Sequence, residues 1–413
     1  MSFNPHTLGR RLREARENCG LSQQVAADSI GIPRTAVTQL EAGNRAVSTL
    51  ELAQLAELYK QPVADFFSEQ PLREDDLLVA LHRLAPGLDT RSDIKEQVER
   101  CLSLCREGCS LEKLLGRSPR SGPPAYNLSA PRTASEAVRQ GEQVALQERK
   151  RLGLGQTPIS NMGELISDQG IWSSGVNLPD EMSGLFLRHT SIGMAILVNF
   201  DHVQGRKRFS YAHEYAHALL DRDRTATVST RDNASELIEK RANAFAAALL
   251  MPGEGVTEFL RALDKGLPSR YEQTIFDVAT EGRIDTQTRP VPGSQAITHQ
   301  DAAILAHHFG VSYQAATYRL RSLNVVSQPE CAKLLERESE GKGFLDFLRM
   351  LDDLDKPESR ERQDRELKSQ IVHLAIEAYR REEISRGKLL DLGKKLELPG
   401  RKLIELAEAV KED

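Results

Sequence analysis

The residues with the clearest chemical potential stand at 213–217, in the order His-Glu-Tyr-Ala-His. On an α-helix, residues four apart project from one face about a turn apart. Two imidazoles so placed can reach one Zn²⁺ ion, with Glu214 beside them to take a proton from metal-bound water. A catalytic zinc takes three protein ligands and keeps a position open for solvent, whereas a structural zinc is closed by four. A third ligand is therefore needed. Glu236 and Glu239, three residues apart on one face of a downstream helical stretch, are both within reach of that role.

The elements that must position these groups are legible nearby. Residues 208–223 contain neither Gly nor Pro, and Phe209, Ala212, Ala216, Leu219 and Leu220 mark an apolar helical face. Residues 234–250 form a second helical pattern, whose Ala242, Ala244, Ala246, Ala247 and Ala248 allow close packing against the first. Three strand candidates precede the pair, at 170–176, 184–189 and 194–200. A small sheet beside the histidine helix would offer an edge to which an extended peptide could add as a further strand. Thr133-Ala134-Ser135-Glu136 is a capping box opening a helix to about residue 151, and Gly153 and Gly155 stop it.

The runs RFSYAHEYAHALLDRD and EKRANAFAAALLMP, with the strand-like MAILVNF before them, resemble the ImmA/IrrE family of zinc metallopeptidases across roughly residues 133–327. The resemblance implies a zincin-like domain over 132–330, with one zinc per chain held by His213, His217 and Glu239 and with Glu214 as general base. It implies metal-assisted hydrolysis: zinc polarises the scissile carbonyl, and Glu214 takes the proton of the bound water and passes it to the leaving amine. Tyr211, Tyr215 and His202 are weighed as oxyanion donors against ordinary structural roles, and none is assigned. Asn243 is weighed as an orienting partner of a ligand against capping or packing.

The N-terminal 70 residues read as five short helices with helix-turn-helix spacing. Ser22 suits an N-cap, Gly31 the turn, Pro33 the first position of the third helix, and Ser48-Thr49-Leu50-Glu51 a capping box. The stretch SQQVAADSIGIPRTAVTQLEAGNRAVSTLELAQLAELY resembles the XRE (Cro/repressor-like) DNA-binding family, with Pro33 where that family often has Ser or Thr. The resemblance implies that Arg34, Thr35, Thr38 and Gln39 face the major groove, that Gln23, Asn44 and Arg45 contact phosphates, and that a homodimer reads a two-fold operator. The segment is not globally basic, with seven Lys and Arg against eight Asp and Glu. Arg10, Arg11, Arg13 and Arg16 concentrate positive charge on its first helix, which favours DNA over a bundle used only for protein contacts.

Between the two lies a connector, 71–131, made of charged helical segments and a Pro/Gly/Ser-rich linker at 116–131. Cys101, Cys105 and Cys109 fall on one helical face and read as a buried stripe of small residues, since no histidine completes a zinc set. Residues 297–327 again read helix, Gly310 turn, helix. Their use as a packing element is favoured over a second DNA reader, because no basic cluster accompanies Arg319 and Arg321. The remainder, 331–413, is a helical tail suited to dimerisation or partner contact.

The expected fold is therefore mostly α with a small β-sheet: an all-α helix-turn-helix bundle, a zincin-like peptidase domain and a helical C-terminal region. Charged residues make up 28% of the 413 and hydrophobic ones 39%, as in a water-soluble globular chain. With no membrane-length apolar run, no signal-peptide pattern and five mostly clustered cysteines, the expected compartment is the cytoplasm, with no membrane partner. The functional reading is a DNA-binding regulator fused to a zinc-dependent endopeptidase. Its substrate would be a repressor-type partner, an adjacent-gene product or the chain's own segment 118–124, in stress, mobile-element or toxin–antitoxin control. The alternative is a non-proteolytic transcription factor or antitoxin that uses the peptidase fold to sense a ligand or partner.

Overall fold

In the computed structural model, capping side chains set where the first helices begin. The structure describes residues 8–9, 12–13, 15–16, 19, 21–59, 63–66, 92–189, 191–222, 226–230, 233, 235–266, 271–277, 282–288, 293–351 and 365–409. The chain divides into two compact units, Met1–Leu78 and Val79–Asp413. In the first, the Ser22 hydroxyl accepts the Val25 N–H at the start of α1 (Gln23–Ile30), and left-handed Gly31 (φ 69°) ends it. Pro33 is the N-cap of α2 (Arg34–Glu41), one position earlier than its sequence suggests. A reciprocal Ser48–Glu51 capping box opens α3 (Thr49–Leu58), and a 3₁₀ turn follows at Val63–Phe66.

Leu8, Leu12 and Ala15 pack with Ala26, Leu52, Leu55, Ala56, Tyr59 and Phe66 to form this unit's core. Arg16 departs from expectation. It is buried and pairs with Glu41 (Nε–Oε1 2.6 Å, Nη2–Oε2 3.0 Å), so its charge is spent inside the unit and does not face DNA. Arg13 is exposed, while Arg10 and Arg11 lie outside the described residues.

The second unit begins, among its described residues, with α4 (Ser92–Leu114). The helical run LLVALHRL expected at 77–84 lies outside the described residues. The cysteine stripe of α4 packs on the sheet: Cys101 Sγ lies 3.8 Å from Ser174 Oγ, and Cys109 Sγ 3.7 Å from the Ile192 carbonyl oxygen. All five cysteines are free thiols. The Pro/Gly/Ser-rich stretch that follows lies against the unit as a strap. Tyr126 N–H donates to the Leu219 carbonyl (3.0 Å), Arg222 reaches the Pro123 carbonyl, and Arg120 sits over the Trp172 ring.

α5 (Ala134–Arg151) and α6 (Met162–Asp168) lead into β1 (Trp172–Val176), β2 (Met182–His189) and β3 (Gly193–Asn199). Then come α7 (Gln204–Leu220), β4 (Ala226–Thr230), α8 (Leu237–Leu250) and α9 (Gly253–Ala262). The sheet order is β1-β3-β2-β4, with β1 parallel to β3 and the other pairs antiparallel. β4 was not expected: ATVST is short and carries only one large apolar residue. A hairpin of β5 (Tyr271–Asp277) and β6 (Gly282–Thr288) forms a separate two-stranded sheet.

α10 (His299–Phe309) and α11 (Tyr313–Ser322) turn at left-handed Gly310 and pack with α12 (Gln328–Glu336) and α13 (Glu338–Leu351). Arg319 is buried, donating to the Met251 carbonyl (2.9 Å) and pairing with Glu142 (2.5 Å), so this arginine serves packing. α14 (Arg365–Arg380) lies on α4 and β1, and α15 (Arg386–Lys395) pairs with α16 (Gly400–Ala409). The fold is mostly α with one four-stranded sheet, and no helix among the described residues is long and apolar enough to cross a membrane.

The pair α5–α8 holds the active elements together, and its closeness depends on Gly141. A Cβ there would come 2.3 Å from the Arg241 carbonyl oxygen and 2.8 Å from Phe245 N. Gly→Ala in an open helix is worth about 0.5–1 kcal/mol of added stability, whereas overpacking costs about 1–3 kcal/mol. Gly141→Ala is expected to lower the melting temperature of the second unit by several degrees. Gly343→Ala, in α13 with open space around it, should raise it or leave it unchanged. Differential scanning calorimetry reads both.

Candidate metal centre

α7 lies over β2 and β3 with one face turned into the space between the sheet and α8. Its rotation is fixed from the opposite side. The Tyr215 hydroxyl donates to Glu148 Oε1 of α5 (2.5 Å), and the same fully buried carboxylate accepts from the Tyr126 hydroxyl (2.7 Å) and from Arg151 Nε (2.9 Å). Tyr215 is thereby committed to structure and is unsuited to the oxyanion role weighed for it. Tyr211 lines a polar cavity of about 630 Å³ beside the N-terminal half of α7, with Lys207, Arg208 and Gln370, and that cavity is not lined by His213 or His217.

With Tyr215 pointing one way, His213 and His217 point the other, towards Glu239 in the first turn of α8. The His213 and His217 Nε2 atoms are 3.2 Å apart. His213 Nε2 lies 3.0 Å from Glu239 Oε2, and His217 Nε2 3.6 Å from Glu239 Oε1. Glu236 is the exposed N-cap of the same helix and stands apart from the cluster. Of the two acids open to choice in the sequence, only Glu239 faces the imidazoles.

The outer nitrogens decide the tautomers. His217 Nδ1 donates to Asp221 Oδ2 (2.8 Å), and the other oxygen of this acceptor-only carboxylate, Oδ1, takes Arg241 Nη2 (2.5 Å). His213 Nδ1 donates to Asn243 Oδ1 (2.9 Å), so the orienting role weighed for Asn243 fits its position. With the protons held outside, both Nε2 lone pairs face Glu239. Three potential ligand atoms converge in a buried space, and a cation fits there. Ligands about 2.0–2.1 Å from a tetrahedral zinc stand about 3.3 Å apart, close to the separations found. Among the described residues the cluster contains three ligand groups.

Glu214 lies beside the cluster and is fully buried (0% exposed, against 6% for His213, 0% for His217 and 2% for Glu239). Neither of its oxygens makes a well-formed hydrogen bond. Burial pushes its carboxyl above the usual range. The His213 and His217 imidazoles and the facing Ser229 hydroxyl oppose that, and Glu239 adds to it. For His217 burial pulls downward, but the Asp221 hydrogen bond and the Glu214 and Glu239 carboxylates outweigh it, and the net direction is upward. Room for Glu214 comes from Gly184 in β2, where a Cβ would lie 3.0 Å from Glu214 Oε1.

Asp221 and Gly184 are among the positions that the sequence did not single out. Asp221 carried a signal, standing four residues after His217 on the same helical face; Gly184 carried none. His202, also weighed for the oxyanion, is buried before α7 with Asp180 3.5 Å from its Nε2, and burial pulls its imidazole down.

In the first unit, Arg34, Thr35, Thr38 and Gln39 are exposed together on one face of α2, opposite buried Val37, Leu40 and Glu41. Gln23 is held beneath that face, its Nε2 donating to Glu41 Oε2 (2.8 Å) and its Oε1 accepting from Thr38 Oγ1 (3.2 Å). Asn44 and Arg45 are exposed in the turn after α2, and Arg45 pairs with Glu51 (2.7 Å).

Comparison with known proteins agrees with this division. Residues 169–279, which contain both histidines, Glu214 and Glu239, match the peptidase family described as the IrrE N-terminal-like domain. Residues 7–66 match a family described as a helix-turn-helix domain. One chain thus carries a helix-turn-helix domain and an IrrE-like peptidase-family domain. No curated protein matches it. Among solved structures, the crystal structure of Bacillus thuringiensis PlcR in complex with the peptide PapR7 and DNA is similar over 98% of each chain, at 13% identity and a TM-score of 0.17. A superposition that loose carries nothing over to this chain.

Groups that orient a zinc-bound imidazole typically contribute about 10–100-fold to metal affinity. Asp221→Asn is expected to weaken zinc binding by about that factor in a competitive chelator titration, while the circular dichroism spectrum stays that of the wild type.

Proposed function

We propose that the chain is a DNA-binding transcriptional regulator whose second unit is a zinc-dependent endopeptidase. One observation carries this reading: two imidazole lone pairs and a carboxylate converge in a buried space, with an unpartnered carboxylate, Glu214, beside them. A site meant only to hold a structural ion has no use for that fourth, unbonded acid. His213, His217 and Glu239 would hold one zinc, whose contribution is Lewis-acid polarisation of the scissile carbonyl. Glu214 takes the proton of the attacking water and returns it to the leaving amine. Asp221 and Asn243 keep the two imidazoles in the tautomer that leaves Nε2 available. The sheet edge next to Glu214 is β4, which an extended peptide would join as a further strand. The substrate class is a repressor-type regulatory protein, or the chain's own segment 118–124.

The DNA-binding half rests on the exposed face of α2. Gln39 and Arg34 read base edges, with Thr35 and Thr38 beside them, while Gln23, Asn44 and Arg45 meet phosphates. A homodimer on a two-fold site places two such helices one DNA turn apart.

A second reading, a ligand- or partner-sensing fold without turnover, draws support from the burial of all four metal-centre residues. Glu214→Gln separates the two. The variant should keep zinc at one per chain by elemental analysis and lose cleavage of a co-incubated helix-turn-helix repressor or of segment 118–124, which the wild type cuts. If neither protein cuts anything while both bind the same DNA, the sensing reading replaces the peptidase.

On DNA, Gln39→Ala should cost about 1–3 kcal/mol at one base position and relax specificity there. Arg45→Ala should weaken binding to all sequences and reduce the slope of log K against log salt by about one. Fluorescence anisotropy on a selected operator, at several salt concentrations, checks both.

A further inference from the structure

The wall facing Glu214 contains two more polar groups that the proposed chemistry has not used, and a role for them presupposes the metal centre. β4 pairs with β2 so that Ser229 stands opposite Gly184 and Thr227 opposite Phe186. Directly opposed residues of an antiparallel pair present their side chains on the same face. The missing side chain of Gly184 would run into Glu214 Cγ and Oε1, each 3.0 Å away, so Ser229 and Thr227 face the same chamber.

Both residues are buried (3% exposed each). Ser229 Oγ, Thr227 Oγ1, both Glu214 oxygens and Glu239 Oε1 make no well-formed hydrogen bond, although the Ser229 hydroxyl faces Glu214 closely enough to pull its carboxyl down. About nine in ten buried polar groups in folded proteins are bonded, so five such oxygens around one space require an explanation. The fold does satisfy a buried serine whose role is packing: Ser173 on β1 donates to the Gly163 carbonyl (3.2 Å). The β4 hydroxyls differ in facing a place meant to be filled by something polar.

We propose that Ser229 and Thr227 are positioning residues of the peptidase centre, whose hydroxyls orient Glu214 and the solvent and substrate groups that enter beside it. The Ser229 O–H donates to one oxygen of Glu214 and turns the other towards the attacking water. The serine keeps its proton throughout, and the water's proton goes to Glu214. Thr227, one strand repeat away on the same face, donates to the incoming polar group.

The test uses the full chain reconstituted with Co²⁺ and titrated with acetohydroxamate, a metal-binding acid whose released proton needs a carboxylate to hold it. Visible absorption reads the binding. Wild type, Glu214→Gln, Ser229→Ala, Ser229→Thr and Thr227→Val are compared, with cobalt content measured for each. Cobalt content is expected to be equal in all of them. Ser229→Ala should bind the hydroxamate about tenfold more weakly, and Ser229→Thr should recover most of that loss. Thr227→Val should weaken binding about threefold.

Removing an unbonded buried hydroxyl is neutral or stabilising for a fold. The metal-free Thr227→Val protein should therefore melt at or above the wild-type temperature, and Ser229→Ala within a few degrees of it with its cobalt content unchanged, which a structural role would not allow. Wild-type affinity in both variants, or a lower melting temperature with parallel loss of cobalt, overturns the assignment. A wild type that takes up no cobalt defeats the metal centre itself. That outcome is distinct from one in which Glu214→Gln weakens the hydroxamate and Ser229→Ala does not.

Discussion

Mutual repulsion among three electron-rich atoms is the constraint around which the second unit is built. His213 Nε2, His217 Nε2 and Glu239 would not be brought within 3.0–3.6 Å of one another out of water unless positive charge compensated them. Keeping them there takes external supports. Asp221 and Asn243 hold the outer nitrogens, Arg241 holds Asp221, and Gln140 of α5 accepts from Arg241 (3.3 Å). The Glu148 carboxylate, on the far side of α7, prevents the helix from rolling. The supports come from three elements, Asp221 at the end of α7, Arg241 and Asn243 on α8, and Gln140 and Glu148 on α5, so these helices must all be in register before the cluster can form.

Glu214 is the complement of that arrangement. A carboxylate with no partner in a water-poor space is costly to the fold, and burial raises the pH at which it gives up its proton. A group poised in that way can accept a proton and surrender it again, whereas Glu41 in the first unit is tied to Arg16 by two hydrogen bonds. Two buried carboxylates thus stand in opposite settings: one closes a core, and the other is left without a well-formed hydrogen bond beside the cluster.

The centre of the site was legible because it is local. Two histidines and an acid within five residues, on a helix free of Gly and Pro, state their own geometry. The third candidate ligand lay 22 residues beyond His217, and only resemblance chose Glu239 over Glu236; the structure separates them by putting one inside and the other at the helix start. What could not be read depends on packing between distant segments. β4 reads as an ordinary polar run, and Gly184 matters only because Glu214 comes to lie against it. Arg16 belongs to an arginine-rich helix, but its partner is 25 residues away and buried with it. Tyr215, inside the motif itself, turned out to face Glu148 because a helix has two sides and the histidines occupy the other.

The strap at 117–131 bears on the idea that the chain cuts itself. Its peptide groups are already engaged, at Tyr126 with the end of α7 and at Pro123 with Arg222. A protease engages extended, unpaired backbone, so the peptide groups held at Pro123 and Tyr126 are shielded from the chain's own enzyme. Scission there would befall only those molecules in which the fastening had already come undone. Self-processing would then act as a one-way record of strain, converting a passing local opening into a permanent break between the DNA-reading end and the remainder.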